Sequence, residues 1–408
     1  MQIFTICCLI TFLWLVFGYS LSFAPAQSNG HVNEVYGNAD RLWLRGMMIK
    51  TTHMLAPTIP EALFCAYQLA FAIITAGLIC GSFADRMKYH SMIIFITFWH
   101  IIVYCPLAHS NWHPQGWLYQ LGVLDFAGGN VVHICSGVSG LATVFVIGNR
   151  KGFGEEKFEP HNILVTFMGM SMLWVGWYGF NAGSAYGANH NACYALLATQ
   201  ISTSVSALMW MFTEWGVRKQ PSILGMINGA IAGLVCITPA AGFVDMTGAF
   251  FIGFFGGPLC YLGAQLKHYL GFDDALDAFG VHAIGGIVGG LAVGFFATDQ
   301  VGLPFSYGEA AGKPILGVYY AGVKVGGHQL GIQCVGIAFA IGWSFIWTWC
   351  ILQIIDKTIG LRVSMQDEEV GLDSSIHGET NSGSQIAKAE QIGGVDHTIV
   401  GVNGTDVA

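Results

Sequence analysis

Two histidines in matched motifs are the residues in this sequence best suited to chemistry. The pattern Val-His-x-x-x-Gly-x-x-Gly occurs twice, around His133 and around His282. Each copy lies in an apolar stretch and follows an acid, Asp125 or Asp277. Histidines inside hydrocarbon are costly unless they face a partner or a cavity, which favours a functional role. Neutral imidazole has one donor and one acceptor, so a pair of them could pass a hydrogen bond or a proton.

Two other uses of histidines in a membrane protein are disfavoured by the spacing. Haem would want further histidines in register on the same helices, but His133 and His282 each stand alone. A metalloprotease would want His-Glu-x-x-His, and the sequence contains no such motif. An embedded metalloenzyme therefore stays a minor alternative. We expect no enzymatic activity, no metal and no cofactor.

The composition indicates what kind of element holds these histidines. Of the 408 residues, 54% are hydrophobic and only 10% are charged, against about 25% charged in a soluble domain. The chain therefore reads as a polytopic membrane protein. Its net charge of -8 argues against nucleic acid as a partner. Six cysteines in apolar runs are interpreted as small buried hydrophobes. They are Cys65, Cys80, Cys105, Cys135, Cys236 and Cys260.

A window of about 20 apolar residues predicts ten membrane spans. They are 3–23, 59–83, 91–107, 124–147, 161–185, 190–214, 222–241, 246–268, 278–298 and 327–356. Because the number of spans is even, both termini lie on the same side of the membrane. The distribution of lysine and arginine, which concentrate in cytoplasmic loops, places both termini in the cytoplasm. Eleven of the 16 basic residues then lie inside: Arg86, Lys88, Arg150, Lys151, Lys157, Arg218, Lys219, Lys267, Lys357, Arg362 and Lys388. Five lie outside: Arg41, Arg45, Lys50, Lys313 and Lys324.

The first span has a second interpretation, because Met1 to Phe23 followed by Ala24-Pro25-Ala26 resembles a signal peptide. No lysine or arginine precedes the apolar run, which favours a retained span. From about Leu361 the composition becomes acidic and rich in serine and glycine, typical of a partly disordered tail. We therefore divide the chain into a membrane domain, 1–360, and a cytoplasmic regulatory tail, 361–408.

The position of the repeat predicts the architecture. His133 and His282 are 282 − 133 = 149 residues apart and fall on the fourth and ninth predicted spans. Because the offset of five is odd, the two helices run in opposite directions, as in inverted-topology repeats. Glycines around both motifs favour close helix packing. The predicted fold is an all-α polytopic membrane protein with about ten transmembrane helices in two inverted-topology repeats around a narrow central pore.

Four runs resemble the ammonium transporter (Amt/Mep/Rh) family, in its Amt branch, between about Gln2 and Gly378. They are Asp125-Phe-Ala-Gly-Gly-Asn-Val-Val-His133, Gly176-Trp-Tyr-Gly-Phe-Asn-Ala-Gly-Ser184, Phe279-Gly-Val-His282 and Gly371-Leu-Asp-Ser-Ser-Ile-His-Gly378. The resemblance implies a homotrimer in the plasma membrane, with one pore in each subunit and both ammonium and methylammonium as substrates. It also implies a role for each of a set of residues. Trp112, Ser184 and Tyr67 would form an outer vestibule, Phe71 and Phe180 a gate, and His133, His282 and Trp177 the pore lining.

The resemblance gives these residues a shared mechanism. The vestibule would recruit ammonium through the indole of Trp112 and the hydroxyl oxygen of Ser184. The ion would then lose a proton, and ammonia would cross the dry lumen with or without that proton. Asp125 is expected to accept bonds from helix N-terminal amides, and Asp277 to have a structural or electrostatic role. The alternatives are an Rh-like electroneutral channel for ammonia or carbon dioxide, and an ammonium sensor with little flux.

Three further features are interpreted through the resemblance. Family members usually have eleven spans, and Gln2–Phe23 resembles their second, so the first would be absent here. Tyr67 stands where phenylalanine is common, and its hydroxyl would add an acceptor to the vestibule. In the tail, Ser375 matches a regulatory hydroxyl position next to Ser374. A kinase that phosphorylates Ser375 would add a charge of about -1.5 to -2 and close the pore.

Overall fold

The structure is a computed structural model that describes residues 1–24, 34–156, 158–301 and 315–379. The chain divides into a compact unit, Gln2–Arg362, and a second unit that begins at Val363 and includes Met1. Several residues used in the sequence interpretation lie outside the described part of the chain. These are Pro25 and Ala26 of the apparent cleavage site, Lys157, Lys313 and Lys388, and the Gly/Ser-rich stretch from residue 380 onward.

The larger unit is built from ten apolar helices. They are α1 (Gln2–Phe23), α2 (Glu61–Phe83), α3 (Tyr89–Leu121), α4 (Gly129–Ile147), α5 (Ile163–Ala185), α6 (His190–Arg218), α7 (Ile223–Ile237), α8 (Met246–Leu270), α9 (Ala278–Phe296) and α10 (Val318–Thr358). Among the described residues, nine of these are long and apolar enough to span a bilayer, and α7 is a shorter apolar helix of 15 residues. No β-strand beyond isolated bridges occurs in the described ranges. The predicted all-helical membrane fold with about ten helices is confirmed.

Helix ends differ from the predicted spans where glycine or an acid interrupts the backbone. The fourth span was predicted from residue 124, but α4 begins at Gly129, because Asp125 accepts hydrogen bonds from backbone amides at that helix end. The last span was predicted from 327, whereas α10 begins at Val318 and is kinked at Gly322, where φ is +69°. Hydropathy averages over a window and does not detect such local breaks.

The helices follow from the apolar sequence, since hydrocarbon offers no partner for backbone groups and a helix satisfies them internally. Four consecutive helices, α5 to α8, also begin with a side-chain cap. Asn162, Asn189, Ser222 and Asp245 accept from the amides of Val165, Ala192, Gly225 and Gly248 at 2.9–3.0 Å. These caps fix where the connecting loops end.

Helices α4 and α9 cross in opposite directions at the centre of the unit. A Cβ on Gly137 would lie 2.4 Å from the backbone nitrogen of Ala283, near the start of α9. A Cβ on Gly286, one turn further along α9, would lie 2.8 Å from the carbonyl oxygen of Gly129, at the start of α4. The backbones are therefore in contact where only glycine fits. This antiparallel crossing is the arrangement that the inverted repeat predicts.

The six cysteines of the apolar runs, Cys65, Cys80, Cys105, Cys135, Cys236 and Cys260, are all buried free thiols. Their interpretation as small buried hydrophobes is confirmed. All six pack within the hydrophobic core.

One end of the unit is organised around the buried carboxylate of Asp273. Arg86 binds it through Nη1 at 2.5 Å, and Arg150 binds it through Nε at 2.7 Å and Nη2 at 2.8 Å. At the same end, Lys88 N donates to Leu361 O at 2.8 Å and Arg362 Nη1 donates to Ile147 O at 3.2 Å. This basic end gathers loops that the positive-inside pattern assigns to the cytoplasm.

The second unit contains two short helices in its described part. They are α11 (Met365–Val370) and α12 (Leu372–Ser375). Ser364 caps α11 by accepting from the amide of Asp367 at 3.1 Å. Ser375 Oγ donates to the carbonyl oxygen of Asp367 at 3.3 Å, so this hydroxyl connects the two helices.

We predict that Asp273→Asn lowers the free energy of unfolding by about 3–5 kcal/mol, because Arg86 would keep a buried charge without its counter-ion. Chemical denaturation of the purified protein in detergent measures this change. Glu155→Gln, an exposed acid in the α4–α5 loop, is the matched control. Equal stability of the two variants would contradict the role given to Asp273.

The pH dependence of stability gives a second measurement of the same contact. Burial alone would raise the pKa of Asp273, but bonds from Arg150 and the charge of Arg86 outweigh it and lower the pKa. A carboxyl with a lowered folded-state pKa stabilises the protein above its unfolded pKa of about 3.9, and this stability is lost as the pH falls through the folded value. The Asp273→Asn variant should lack this acid-dependent component.

Candidate functional site

The imidazoles of His133 and His282 meet in the interior of the larger unit. Their Nδ1 atoms are 3.2 Å apart, and the rings are stacked with centroids separated by 5.4 Å. Only one hydrogen can lie between the two Nδ1 atoms, so one imidazole donates and the other accepts. The accepting ring then carries its proton on Nε2, and the donating ring has a bare Nε2. The pair therefore presents one donor and one acceptor to the pore.

Both histidines are placed by the same unusual backbone. Helix α4 begins with a π-helix, Gly129–Ile134, and α9 begins with a π-helix, Ala278–Ala283. Each histidine is the fifth residue of its six-residue π-helix. A residue with positive φ precedes each of them, Gly128 at +110° and Asp277 at +56°. The internal repeat seen in the sequence therefore extends to backbone conformation, at a helix type often found at functional sites.

An aromatic wall covers His133. The ring of Trp177 stacks on it at 5.5 Å and the ring of Phe180 lies 6.1 Å away. Trp177 is held by its own hydrogen bond, from Nε1 to Thr238 Oγ1 at 3.0 Å. The predicted pore-lining residue Trp177 thus contacts the histidine pair directly. Thr238, which fixes the indole, was not identified from the sequence.

The predicted gate residues Phe71 and Phe180 are in contact. Their ring centroids are 4.4 Å apart, and Phe71 is almost completely buried. On its other side, Phe71 meets the edge of Trp112 at 5.6 Å. The order of contacts is therefore Trp112, Phe71, Phe180 and His133, which is the order expected for a vestibule, a constriction and a lumen.

Tyr67 contacts Ser184, and the rings of Tyr67 and Trp112 each meet Phe71, at 5.0 and 5.6 Å. Trp112 is fixed by a bond from Nε1 to the carbonyl oxygen of Asp125 at 2.8 Å. The hydroxyl of Tyr67 is 2.5 Å from the carbonyl oxygen of Phe180 and 3.0 Å from Ser184 Oγ. Because the contact with Phe180 is the shorter one, Tyr67 donates its hydrogen to the carbonyl oxygen of Phe180. The Ser184 hydrogen then goes to Tyr67 or to Phe180, and lone pairs on Ser184 remain available as acceptors.

Tyr186 lies beside Tyr67 and Phe64 and was not identified from the sequence. Its backbone is left-handed, with φ +50°, and its hydroxyl accepts from Gln68 Nε2 at 2.8 Å. Its ring meets the edges of Tyr67 and Phe64, at 6.1 and 5.2 Å. A bulky residue with positive φ is uncommon, and no sequence pattern predicts it here.

Asp125 satisfies the amides at the start of α4. Oδ1 accepts from Gly128 and Gly129, and Oδ2 accepts from Asn130 and Val131, at 2.5–3.3 Å. This is the role expected from the sequence. A helix N-terminus has unpaired amides that a carboxylate can bind.

The residue equivalent to Asp125 in the second repeat is Asp274, which the sequence analysis did not identify. Each lies eight residues before its histidine, and Asp274 Oδ2 accepts from the amide of Phe279 at 2.7 Å. Asp277 corresponds instead to Gly128, five residues before the histidine. Its carboxylate pairs with Lys267 Nζ at 2.7 Å. The interval of eight residues between acid and histidine, equal in both repeats, could have identified Asp274 from the sequence.

Together these contacts define a class of protein. Apolar helices surround an aromatic entrance, a pair of stacked rings and two hydrogen-bonded imidazoles, which is the arrangement of a multi-pass membrane transporter or channel for a small polar solute.

Comparison with known proteins gives the family. The Ammonium Transporter Family matches residues 1–382, and the chain belongs to it. It is 40% identical over 380 residues to an ammonium transporter of Bacillus subtilis, covering 93% of this chain and 88% of that protein. It is 39% identical over 368 residues to ammonium transporter Amt1 of Archaeoglobus fulgidus, covering 90% and 86%. The resemblance stated from the motifs is confirmed.

The fold also matches a solved structure. The crystal structure of Saccharomyces cerevisiae Mep2 superposes with a TM-score of 0.80 at 33% sequence identity, covering 89% of this chain and 81% of that one. The arrangement of helices described above is therefore that of a known membrane fold.

We predict that Gly183→Ala impairs ammonium uptake, because its Cβ would lie 2.7 Å from the ring of Tyr67 and displace the hydroxyl from Ser184. Loss of about one hydrogen bond corresponds to a roughly tenfold rise in the half-saturating ammonium concentration. Uptake assays on cells or vesicles measure it. Gly179→Ala, where a Cβ meets no atom within 4 Å, should behave as wild type. Equal effects of both substitutions would contradict the prediction.

Proposed function

We propose that the chain recruits ammonium at the vestibule, removes a proton from it, and conducts ammonia through the pore lined by His133 and His282. The observation that carries this proposal is the Nδ1···Nδ1 contact of 3.2 Å behind two stacked phenylalanines. Family membership supports ammonium as the substrate. The remaining steps are argued from the contacts.

Recruitment uses two kinds of interaction. The indole face of Trp112 attracts a small cation by about 0.5–2 kcal/mol, more when water is excluded. The lone pairs of Ser184 accept an N–H from ammonium. Potassium is similar in size but donates no hydrogen bond, so an acceptor favours ammonium over it.

Deprotonation follows from the apolar constriction. Phe71 and Phe180 offer no hydrogen-bonding group, and moving an ion into such surroundings costs far more than moving a neutral molecule. Ammonium therefore gives its proton to water in front of the rings before they part, and ammonia enters the lumen. This step selects against every cation that cannot become neutral.

In the lumen, the histidine pair makes the hydrogen bonds to ammonia that water makes outside. The bare Nε2 of one ring accepts from ammonia, and the Nε2–H of the other donates to its lone pair. Neither contact requires a charged imidazole. A proton moving along the pair would reverse both tautomers, so the arrangement serves passage with a proton or without one.

We predict that His133→Ala and His282→Ala each abolish the ammonium-evoked current in proteoliposomes that contain the purified protein, because the lumen loses its hydrogen-bonded pair of imidazoles. His161→Ala, an exposed histidine in the α4–α5 loop, is the matched control and should carry the wild-type current. Size-exclusion profiles establish that the variants remain folded. An unaltered current in either pore variant would contradict the mechanism.

The same assay distinguishes the alternative functions. An Rh-like electroneutral channel would change the internal pH without a current. A sensor would bind ammonium with neither current nor appreciable flux. Trp112 and Ser184, which together suit a cation, favour the transporter.

Assembly and location are part of the proposal. We propose a homotrimer in the plasma membrane, with one pore in each subunit and a cytoplasmic C-terminus. The strongly exposed apolar side of α5 supports contact with lipid or with another copy. Leu164, Val165, Met168, Met172 and Val175 on this helix are exposed.

The tail is proposed to regulate transport through Ser375. A phosphate on Ser375 adds about -1.5 to -2 charge and removes the hydrogen that Oγ donates to Asp367. The neighbouring acids Asp367 and Asp373 would repel it, so α11 and α12 would separate. A kinase is the partner that this step requires. The division into a membrane domain, 1–360, and a regulatory tail, 361–408, belongs to the same proposal.

We predict that Ser375→Asp reduces transport severalfold, because a carboxylate cannot donate to Asp367 and repels it. Ammonium uptake at saturating concentration measures the effect. Ser374→Asp adds the same charge at an exposed neighbouring position and should leave uptake near the wild-type rate. Full transport by Ser375→Asp would contradict regulation at this site.

A further inference from the structure

The two equivalent carboxyls of the repeats differ in how completely they are bonded. Both oxygens of Asp125 accept from backbone amides, two amides each. Asp274 uses Oδ2 for the amide of Phe279, whereas Oδ1 has no hydrogen-bond partner. The residue is only 2% exposed. A buried carboxylate oxygen without a donor is unfavourable, and binding a proton relieves the cost.

The charges around Asp274 do not neutralise it. Lys267 Nζ is bound to Asp277 Oδ1 at 2.7 Å and to the backbone oxygen of Asp274 at 3.1 Å. Asp277 therefore holds this ammonium group and also repels the carboxylate of Asp274. Arg150 and His268 favour the ionised form of Asp277 and not of Asp274.

Arg86 and Arg150 do not neutralise Asp274 either, because both bind the carboxylate of the preceding residue, Asp273. Burial and the repulsion from Asp277 raise the pKa of Asp274 to about 6, against the opposing effects of the Phe279 amide, Lys267 and the Ala278 amide. An ordinary aspartate has a pKa near 3.9.

We propose that Asp274 is a proton-binding site at the basic end of α9, in which the unpartnered Oδ1 takes up and releases the proton. Both oxygens of Asp125 are already bonded to amides, so the two equivalent carboxyls differ in this respect. Asp274 also caps the helix that carries His282, so its protonation changes the bond that fixes the start of that helix. The consequence for transport rests on the function proposed above: flux depends on the pH at the basic end.

Infrared titration of the purified protein in lipid tests the site without requiring transport. The spectrum of protonated carboxyl groups should lose one band with a midpoint at about pH 6, and Asp274→Asn should lack that band. Asp125→Asn is the matched control and should retain it. A difference spectrum in which Asp274 titrates near 4, as an ordinary aspartate does, would overturn the proposal.

A second variant keeps Asp274 in place. Asp277→Asn removes the repelling charge and releases Lys267, so the midpoint of the band should fall by about one pH unit or more. An unchanged midpoint would contradict the arrangement of charges described here, even if Asp274→Asn failed to fold.

Transport is measured in vesicles in which the pH at the basic end is varied. Wild-type flux should change with a midpoint near that of the infrared band, and Asp274→Asn should be insensitive over this range. A band at about pH 6 with pH-insensitive wild-type flux would refute the link to transport and leave the proton site in place. Wild-type vesicles without any flux would refute the proposed function alone, because the infrared band is independent of it.

Discussion

The hydrogen bond between the two Nδ1 atoms of His133 and His282 is the contact on which the arrangement of the pore depends. Two neutral imidazoles in a dry interior satisfy one nitrogen each by this bond. It holds only when α4 and α9 cross closely enough to bring residues 149 positions apart into contact. The glycines at the crossing, the π-helices that aim both rings, and the carboxylates at the helix starts all serve that approach. The pore is therefore a property of the interface between the repeats.

Much of this could be predicted because the bilayer imposes strong rules on a sequence. Spans follow from length and hydropathy, and opposed orientation follows from an odd offset. The pairing of His133 with His282 follows from two copies of one motif. The expected vestibule and gate residues come from the family resemblance, since any single tryptophan or phenylalanine in so aromatic a chain has no distinctive spacing.

The remaining features depend on backbone detail that hydropathy does not encode. A π-helix has no sequence signature, so the sequence did not indicate how the two rings are aimed. Asp277, the acid nearer to the second motif, was identified from the sequence, whereas Asp274 has the interval of eight found in the first repeat. The hydroxyl of Tyr67 was expected to add an acceptor to the vestibule, and the sequence did not indicate which group that hydroxyl binds. It is bonded to the backbone of the gate, because the absence of a side chain at Gly183 lets its ring lie against that helix.

The Asp273 cluster has a consequence for how the molecule can move. Arg86 and Arg150 come from loops of the first repeat, and Asp273 comes from the loop that leads into α9. The two halves are thus tied together at the basic end, and they are also in backbone contact at the glycine crossing. Rocking of one half against the other, the usual route to alternating access, would break a buried ion cluster and separate tightly packed backbones. We infer a rigid frame in which the passage of each molecule requires only rotation of small groups of side chains, foremost the two phenylalanine rings.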